Sequence, residues 1–124
     1  MRTIYEQYID NISRNEKFNK EVYRSIYKLN WDVLGHYFRG VQWMINFINS
    51  LHTNKYDSYF FKKKYFEIFK SQLSEYETTM IFYHFLFIED KKYKELAEKF
   101  GLFEFINIEL VTDDTEYYDE NAFL

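Results

Sequence analysis

Four side chains have the types and spacing that acid–base or phosphate chemistry requires. His36 and Arg39 are three residues apart, so a helix places them on one face. Tyr83 and His84 lie in a second, strongly apolar segment. Because histidine exchanges protons near neutral pH and arginine clamps phosphate, these four residues are candidates for a metal-independent ribonuclease site. The structural alternative places Arg39 inside the domain, paired with a carboxylate such as Glu77.

Composition excludes several other kinds of site. The chain has no cysteine, which rules out disulfides, thiolate metal sites and a cysteine nucleophile. Its three histidines are His36, His52 and His84, and no two of them have the i, i+4 spacing of metal ligands. Glycine-rich phosphate loops are absent as well. We therefore expect neither a metal nor a cofactor.

A lysine run offers a second candidate surface. Lys62, Lys63 and Lys64 lie between Tyr59 and Tyr65, which suits RNA phosphates with rings available for stacking. Lysine runs on helices are also typical of a solvated face. The net charge of −4 argues against nucleic acid as the main partner.

The elements that position these residues are expected to be helices. The 124 residues suit one domain, and the absence of proline with only three glycines leaves too few turn residues for a many-stranded sheet protein. Thirteen tyrosines and 14 phenylalanines must build most of the core. We predict an all-α, single-domain bundle of four to five helices over residues 1–124, with residues 1–17 as a helical or partly ordered arm.

Apolar spacing predicts where the first helices lie. Residues 21–29 lead through a bend near Asn30 into a main helix over residues 30–51. Two stripes on that helix predict burial over much of its circumference. The first consists of Trp31, Leu34, Phe38, Val41, Ile45 and Ile48, and the second of Tyr37, Met44, Phe47 and Leu51.

Three further helices are predicted after the main helix. The first covers residues 57–72, is capped by Asp57 or Ser58, and turns its lysine run to water. Ser74 and Glu77 form a capping box that begins a central helix ending at Ile88. Residues 91–100 form the last helix, which Gly101 ends as its left-handed cap.

The C-terminal residues have a different character. Residues 104–124 contain seven acidic and no basic side chains, whereas residues 1–103 carry three more basic than acidic ones. The alternation over residues 106–110 predicts an extended segment laid on the helices. The acidic tail either binds the basic body, within or between chains, or stays solvated and partly disordered.

Several segments, in a fixed order, match a known pattern. Residues 34–39 read LGHYFR, residues 71–77 read SQLSEYE, and similar short matches follow at residues 81–83, 96–104 and 118–123. Together they resemble the phage abortive infection protein family, related to the lactococcal abortive infection protein C. The residues of this signature are Gly35, His36, Tyr37, Phe38, Arg39, Ser74 and Glu77.

The resemblance implies a role in phage–host conflict. It covers only the soluble C-terminal domain of a family whose members usually begin with two membrane-spanning helices, so we expect a cytoplasmic protein without membrane contact. No catalytic residues are implied, and we expect an interaction domain that binds a phage or host protein. The alternatives are a phage-encoded inhibitor of host defence and the ribonuclease described above.

The aromatic content also predicts self-association or partner binding. Aromatic residues make up 23% of the chain, more than a small core readily hides. Such rings suit interfaces, and a homodimer is one expected outcome. The rings expected on exposed patches are Tyr5, Tyr8, Tyr23, Tyr27, Tyr56, Phe61 and Tyr117.

Overall fold

A computed structural model describes residues 20–52, 58–88 and 91–124. The main helices are α1 (Lys20–Leu29), α2 (Trp31–Ser50), α3 (Ser58–Ser71), α4 (Glu75–Phe87) and α5 (Lys91–Phe100), followed by the single turn α6 (Ile108–Val111). Two 3-10 turns follow, Thr115–Tyr117 and Glu120–Phe123. The described residues contain no strand, so the all-α prediction is confirmed. The predictions for residues 1–17, for the Asp57 cap and for the rings of Tyr5, Tyr8 and Tyr56 lie outside the described residues.

Helix α4 is the centre of the bundle, as predicted. Its capping box is complete: the Glu77 backbone N–H donates to Ser74 Oγ, and the Ser74 N–H donates to the Glu77 carboxylate. Residues 78–85 are buried without interruption, so every face of the helix meets other elements. Helices α1 and α5 pack directly against it.

Helix α2 buries one side only. The bend before it is confirmed at Asn30, whose backbone N–H and side-chain amide both donate to the Ile26 carbonyl oxygen. Its buried face consists of Leu34, Phe38, Val41, Ile45 and Ile48, which completes the first predicted stripe except for Trp31. The prediction of burial around much of the helix is wrong. Because α1 and α3 pack along one side, Trp31, Met44 and Phe47 remain exposed.

Gly101 ends α5 as predicted. Its φ of +62° lies in the left-handed region that side chains with a Cβ avoid. A second constraint acts at the same position, because a Cβ there would lie 2.8 Å from the Leu124 carbonyl carbon. Glycine thus allows both the helix end and the close passage of the C-terminal backbone.

The C-terminal residues pack against α4 and α5. The extended conformation predicted for residues 106–110 is wrong in part, because the Asn107 side chain accepts a hydrogen bond from the Glu109 N–H and begins the turn α6. Val111, Tyr118 and Ala122 are buried, and the Tyr118 hydroxyl donates to the Phe82 carbonyl oxygen at 2.7 Å. Most of the acidic side chains point to water. Apolar packing and backbone hydrogen bonds therefore hold this segment, together with the ion pair between Lys70 and Glu104.

Within the described stretches, no helix has the length and apolar character needed to cross a bilayer.

Candidate functional site

Two of the four residues proposed for chemistry lie in the core. His84 is 1% exposed, its ring stacks on Phe38 with centroids 3.6 Å apart, and its Nδ1 lies 2.5 Å from the Tyr23 hydroxyl. Burial disfavours the charged imidazolium and lowers the pKa of His84 to about 3. Tyr83 is fully buried and donates to Asp114 Oδ2 at 2.6 Å. Burial, and then this hydrogen bond, raise the pKa of Tyr83 above its usual range.

The other two residues point away from that core. His36 and Arg39 are exposed on the outer side of α2, whereas Phe38 between them points inward. The structure therefore separates the pair His36–Arg39 from the pair Tyr83–His84. The prediction that Arg39 is buried against Glu77 is wrong, because position 39 lies on the solvent side of the helix.

Glu77 has a different partner from the signature segment. The Tyr37 hydroxyl donates to Glu77 Oε2 at 2.7 Å, and the other carboxylate oxygen accepts the Ser74 N–H at 3.0 Å. Partial burial alone would raise the pKa of Glu77, but the hydrogen bonds from Tyr37 and Ser74 outweigh it and hold that pKa below its ordinary value. Burial and the same carboxylate raise the pKa of Tyr37. These three signature residues thus join α2 to the start of α4.

The lysine run does not form one stripe. At 100° per residue, Lys62, Lys63 and Lys64 spread over more than half of the circumference of α3. Lys63 and Tyr59 line a cleft of about 370 Å³ between α3, α5 and the C-terminal residues, whereas Tyr65 and Lys64 are exposed elsewhere on the helix. Tyr59 stacks on Phe100 with centroids 5.5 Å apart, so its ring already has a partner inside the domain.

Lys70, six residues after the lysine run, is a structural residue. It is 4% exposed and donates to the Gly101 carbonyl oxygen at 3.1 Å and to Glu104 at 2.5 Å. These contacts tie α3 to the end of α5. Among the residues that the structure describes, no group of three histidine, aspartate or glutamate side chains is placed to hold a metal ion.

The outer side of α2 carries an apolar surface that sequence reasoning missed. Val33, His36, Gly40, Trp43 and Phe47 follow one another at spacings of 3, 4, 3 and 4 residues, and all five are exposed. We call these five residues the outer seam. The Trp43 and Phe47 rings stack with centroids 5.5 Å apart and an interplanar angle of 8°. Met44, 38% exposed, borders them.

The spacing of the outer seam was visible in the sequence. The sequence analysis instead assigns Phe47 and the neighbouring Met44 to a second buried stripe with Tyr37 and Leu51, but both side chains are exposed. Only some of the rings that were expected on exposed patches are exposed. Tyr117 is exposed, but Tyr23 is fully buried beside His84, which corrects the prediction for that residue, and Tyr27 and Phe61 are half-buried.

The chain matches a known protein family. The family model described as "Putative phage abortive infection protein" matches residues 30–111, about two thirds of the chain. The chain belongs to this phage abortive infection family. No curated protein and no solved structure matches it significantly.

Membership in the abortive infection family connects the domain to phage defence. The matched region runs from the bend at Asn30 through α6, so it contains the outer seam and the contact of Tyr37 with Glu77. Residues 118–123, where the sequence also resembles the abortive infection proteins, lie beyond the match. In this structure they pack on α4, where the Tyr118 hydroxyl donates to the Phe82 carbonyl oxygen.

Proposed function

We propose that this domain acts in phage abortive infection, in the bacterial cytoplasm, by binding another protein through the outer seam of α2. The observation that carries the proposal is the exposure of that seam: Trp43 is 65% exposed, Val33 56% and Phe47 49%. The largest exposed apolar patch on a monomer, of a few hundred Å², is often a functional interaction site.

The placement of the polar candidates supports binding rather than catalysis. A ribonuclease built on His36 and Arg39 needs a second proton-transfer group within hydrogen-bond reach. Tyr83 and His84, the residues proposed for that purpose, are enclosed in the core and have partners there. His84 is also uncharged at neutral pH, because its pKa is about 3.

The composition of the seam suits a protein partner. Tryptophan and phenylalanine supply large contact areas, and tryptophan is among the residues that dominate measured binding energies. None of the five seam positions carries a lysine, arginine, aspartate or glutamate. A nucleic-acid surface would need phosphate-neutralising charges at these positions.

The experiment is a phage challenge of bacteria that express the chain. We expect the wild-type protein to reduce phage yield, and Trp43→Ala to abolish most of that reduction. Trp31→Ala is the matched control, because Trp31 is equally exposed, at 68%, but lies on another side of α2. Circular dichroism checks that both variants keep the helical fold.

Two outcomes contradict the proposal. Trp43→Ala cells that restrict phage as well as the wild type would remove the seam from the function. Restriction lost equally in both tryptophan variants would mean that exposed rings matter for solubility or stability, without a specific site on α2.

A further inference from the structure

We propose that the partner of the outer seam is a second copy of this chain, with the two α2 helices packed antiparallel. The inference rests on the proposed protein-binding role of the seam and names what binds there. Spacings of 3 and 4 residues are those by which two helices interlock along a shared seam. The five positions span about 21 Å, at a rise of about 1.5 Å per residue.

The shape of the seam is complementary to itself. Its C-terminal half carries the bulky rings of Trp43 and Phe47, and its N-terminal half carries smaller groups at Val33 and His36. Gly40 lies between them, and a Cβ built there would meet no atom within 4 Å. Antiparallel packing places Trp43 over the partner's Gly40 and Phe47 beside the partner's His36. A parallel pair would set ring against ring and leave the two glycines facing a gap.

Charge selects the register among the antiparallel alternatives. Arg39 is exposed at the border of the seam. With Trp43 over the partner's Gly40, Arg39 is level with the partner's Met44, which carries no charge. A shift by one heptad brings the two Arg39 side chains together, and like charges at an interface are unfavourable. The favoured register also places Val33 opposite the partner's Ser50.

The area of the seam predicts a reversible dimer. A fully buried aromatic side chain covers about 150–250 Å². Trp43 and Phe47 have half to two thirds of their surface left to bury, so the seam supplies several hundred Å² in each copy. Stable complexes use about 800 Å² in each partner. We therefore expect the dimer to form and dissociate over the micromolar range, and not to be permanent.

Sedimentation equilibrium of the whole chain, from about 1 µM to about 1 mM, tests the association. We expect a monomer–dimer equilibrium in the wild type. Trp43→Ala should raise its dissociation constant by about tenfold or more, the usual effect of removing a central aromatic anchor. Trp31→Ala is the matched control and should change it by about twofold at most, since this ring lies off the seam.

Disulfide trapping tests the orientation without background, because the chain has no cysteine. Val33→Cys and Ser50→Cys leave Gly40, Trp43 and Phe47 intact. The two positions lie about 25 Å apart along one helix, so they cannot bridge within a chain. Mixing the two single variants under mild oxidation should give, as the main product, the mixed dimer in which position 33 of one variant is bonded to position 50 of the other. Mainly like-with-like dimers would indicate parallel packing and overturn the antiparallel arrangement.

The outcomes separate this inference from the proposed function. A wild type that stays monomeric to the highest concentration, while phage restriction still depends on Trp43, overturns the dimer and leaves the seam as a binding site for another protein. A dimer that depends on Trp43, with restriction unaffected, supports the dimer and overturns the proposed function. Equal dimerisation of both tryptophan variants overturns the placement of the interface on the seam.

Discussion

His84 shows how burial changes what a residue type can do. In the sequence it is one of three histidines and a candidate acid or base. In the structure it fills a gap between Phe38 and Tyr23, and its pKa of about 3 keeps it neutral across the physiological range. The imidazole there is a packing and hydrogen-bonding group. Tyr37 and Glu77 make the same point, since this signature pair serves to hold α2 against α4.

The burial of His84 predicts acid sensitivity. An unfolded histidine takes up a proton near pH 6.5, whereas His84 resists protonation until about pH 3. The unfolded state therefore binds the extra proton between these values. This group contributes stability that is present above pH 6.5 and falls by about 1.4 kcal/mol for each pH unit below it.

Urea unfolding at several pH values between 7 and 4.5 measures this effect. His84→Asn should be less stable at pH 7 but show a shallower loss of unfolding free energy with falling pH. Identical slopes in the wild type and His84→Asn would contradict this prediction, because they would show that His84 has the same pKa in the folded and the unfolded protein.

Among the elements, α2 carries two parallel stripes of which only one packs inside the described domain. The stripe that begins at Leu34 is buried against α1 and α3, and the outer seam faces solvent. Its glycines have no local requirement, since Gly35 and Gly40 have open space where a Cβ would be. Gly101, at the end of α5, has two local requirements for glycine. Its φ is positive, and the backbone of Leu124 lies where a Cβ would be.

The two kinds of glycine should respond to alanine with opposite signs. Gly35→Ala should stabilise the fold by up to about 1 kcal/mol, the helix propensity that alanine gains over glycine. Gly101→Ala should destabilise it by about 1–2 kcal/mol or more, since alanine is strained in the left-handed region and its Cβ meets the C-terminal backbone. Thermal and urea unfolding of both variants provide the comparison. If both variants changed the unfolding free energy in the same direction and by the same amount, backbone conformation would not be what distinguishes the two glycines.

At the scale of the whole molecule, the C-terminal residues complete the core. Tyr118 packs on Phe82 and Phe103 with ring centroids 4.6 Å and 5.0 Å away, and the Phe103 N–H donates to the Ala122 carbonyl oxygen at 2.8 Å. The acidic side chains around them lie mostly at the surface. Residues 118–122 are therefore attached chiefly through apolar contacts and backbone hydrogen bonds, whereas Glu104 is held by its ion pair with Lys70.

Because apolar contacts hold the residues around Tyr118, we expect an apolar and a charge variant of the C-terminal residues to change the unfolding free energy by different amounts. Tyr118→Ala should lower the unfolding free energy by about 3–5 kcal/mol, as for other large buried aromatics. Replacing the exposed Glu116 and Glu120 by glutamine together should change it by about 0.5 kcal/mol or less. Urea denaturation at low and high salt measures both. A larger effect of the glutamine variant, or strong destabilisation of the wild type by salt, would show that charge holds the segment.

The sequence alone determined the helices and their ends, because these depend on residues close in the chain. Apolar spacing, the capping box at Ser74 and the glycine at position 101 place α1 to α5 nearly as observed. Only the tertiary structure decided which side of each helix is covered. Trp31 and Phe47 have the spacing of buried residues yet are exposed, and Tyr23 was expected outside yet is enclosed. The separation of His36 from His84 likewise depends on how α2 and α4 are rotated against each other, which packing between distant segments settles and local spacing does not.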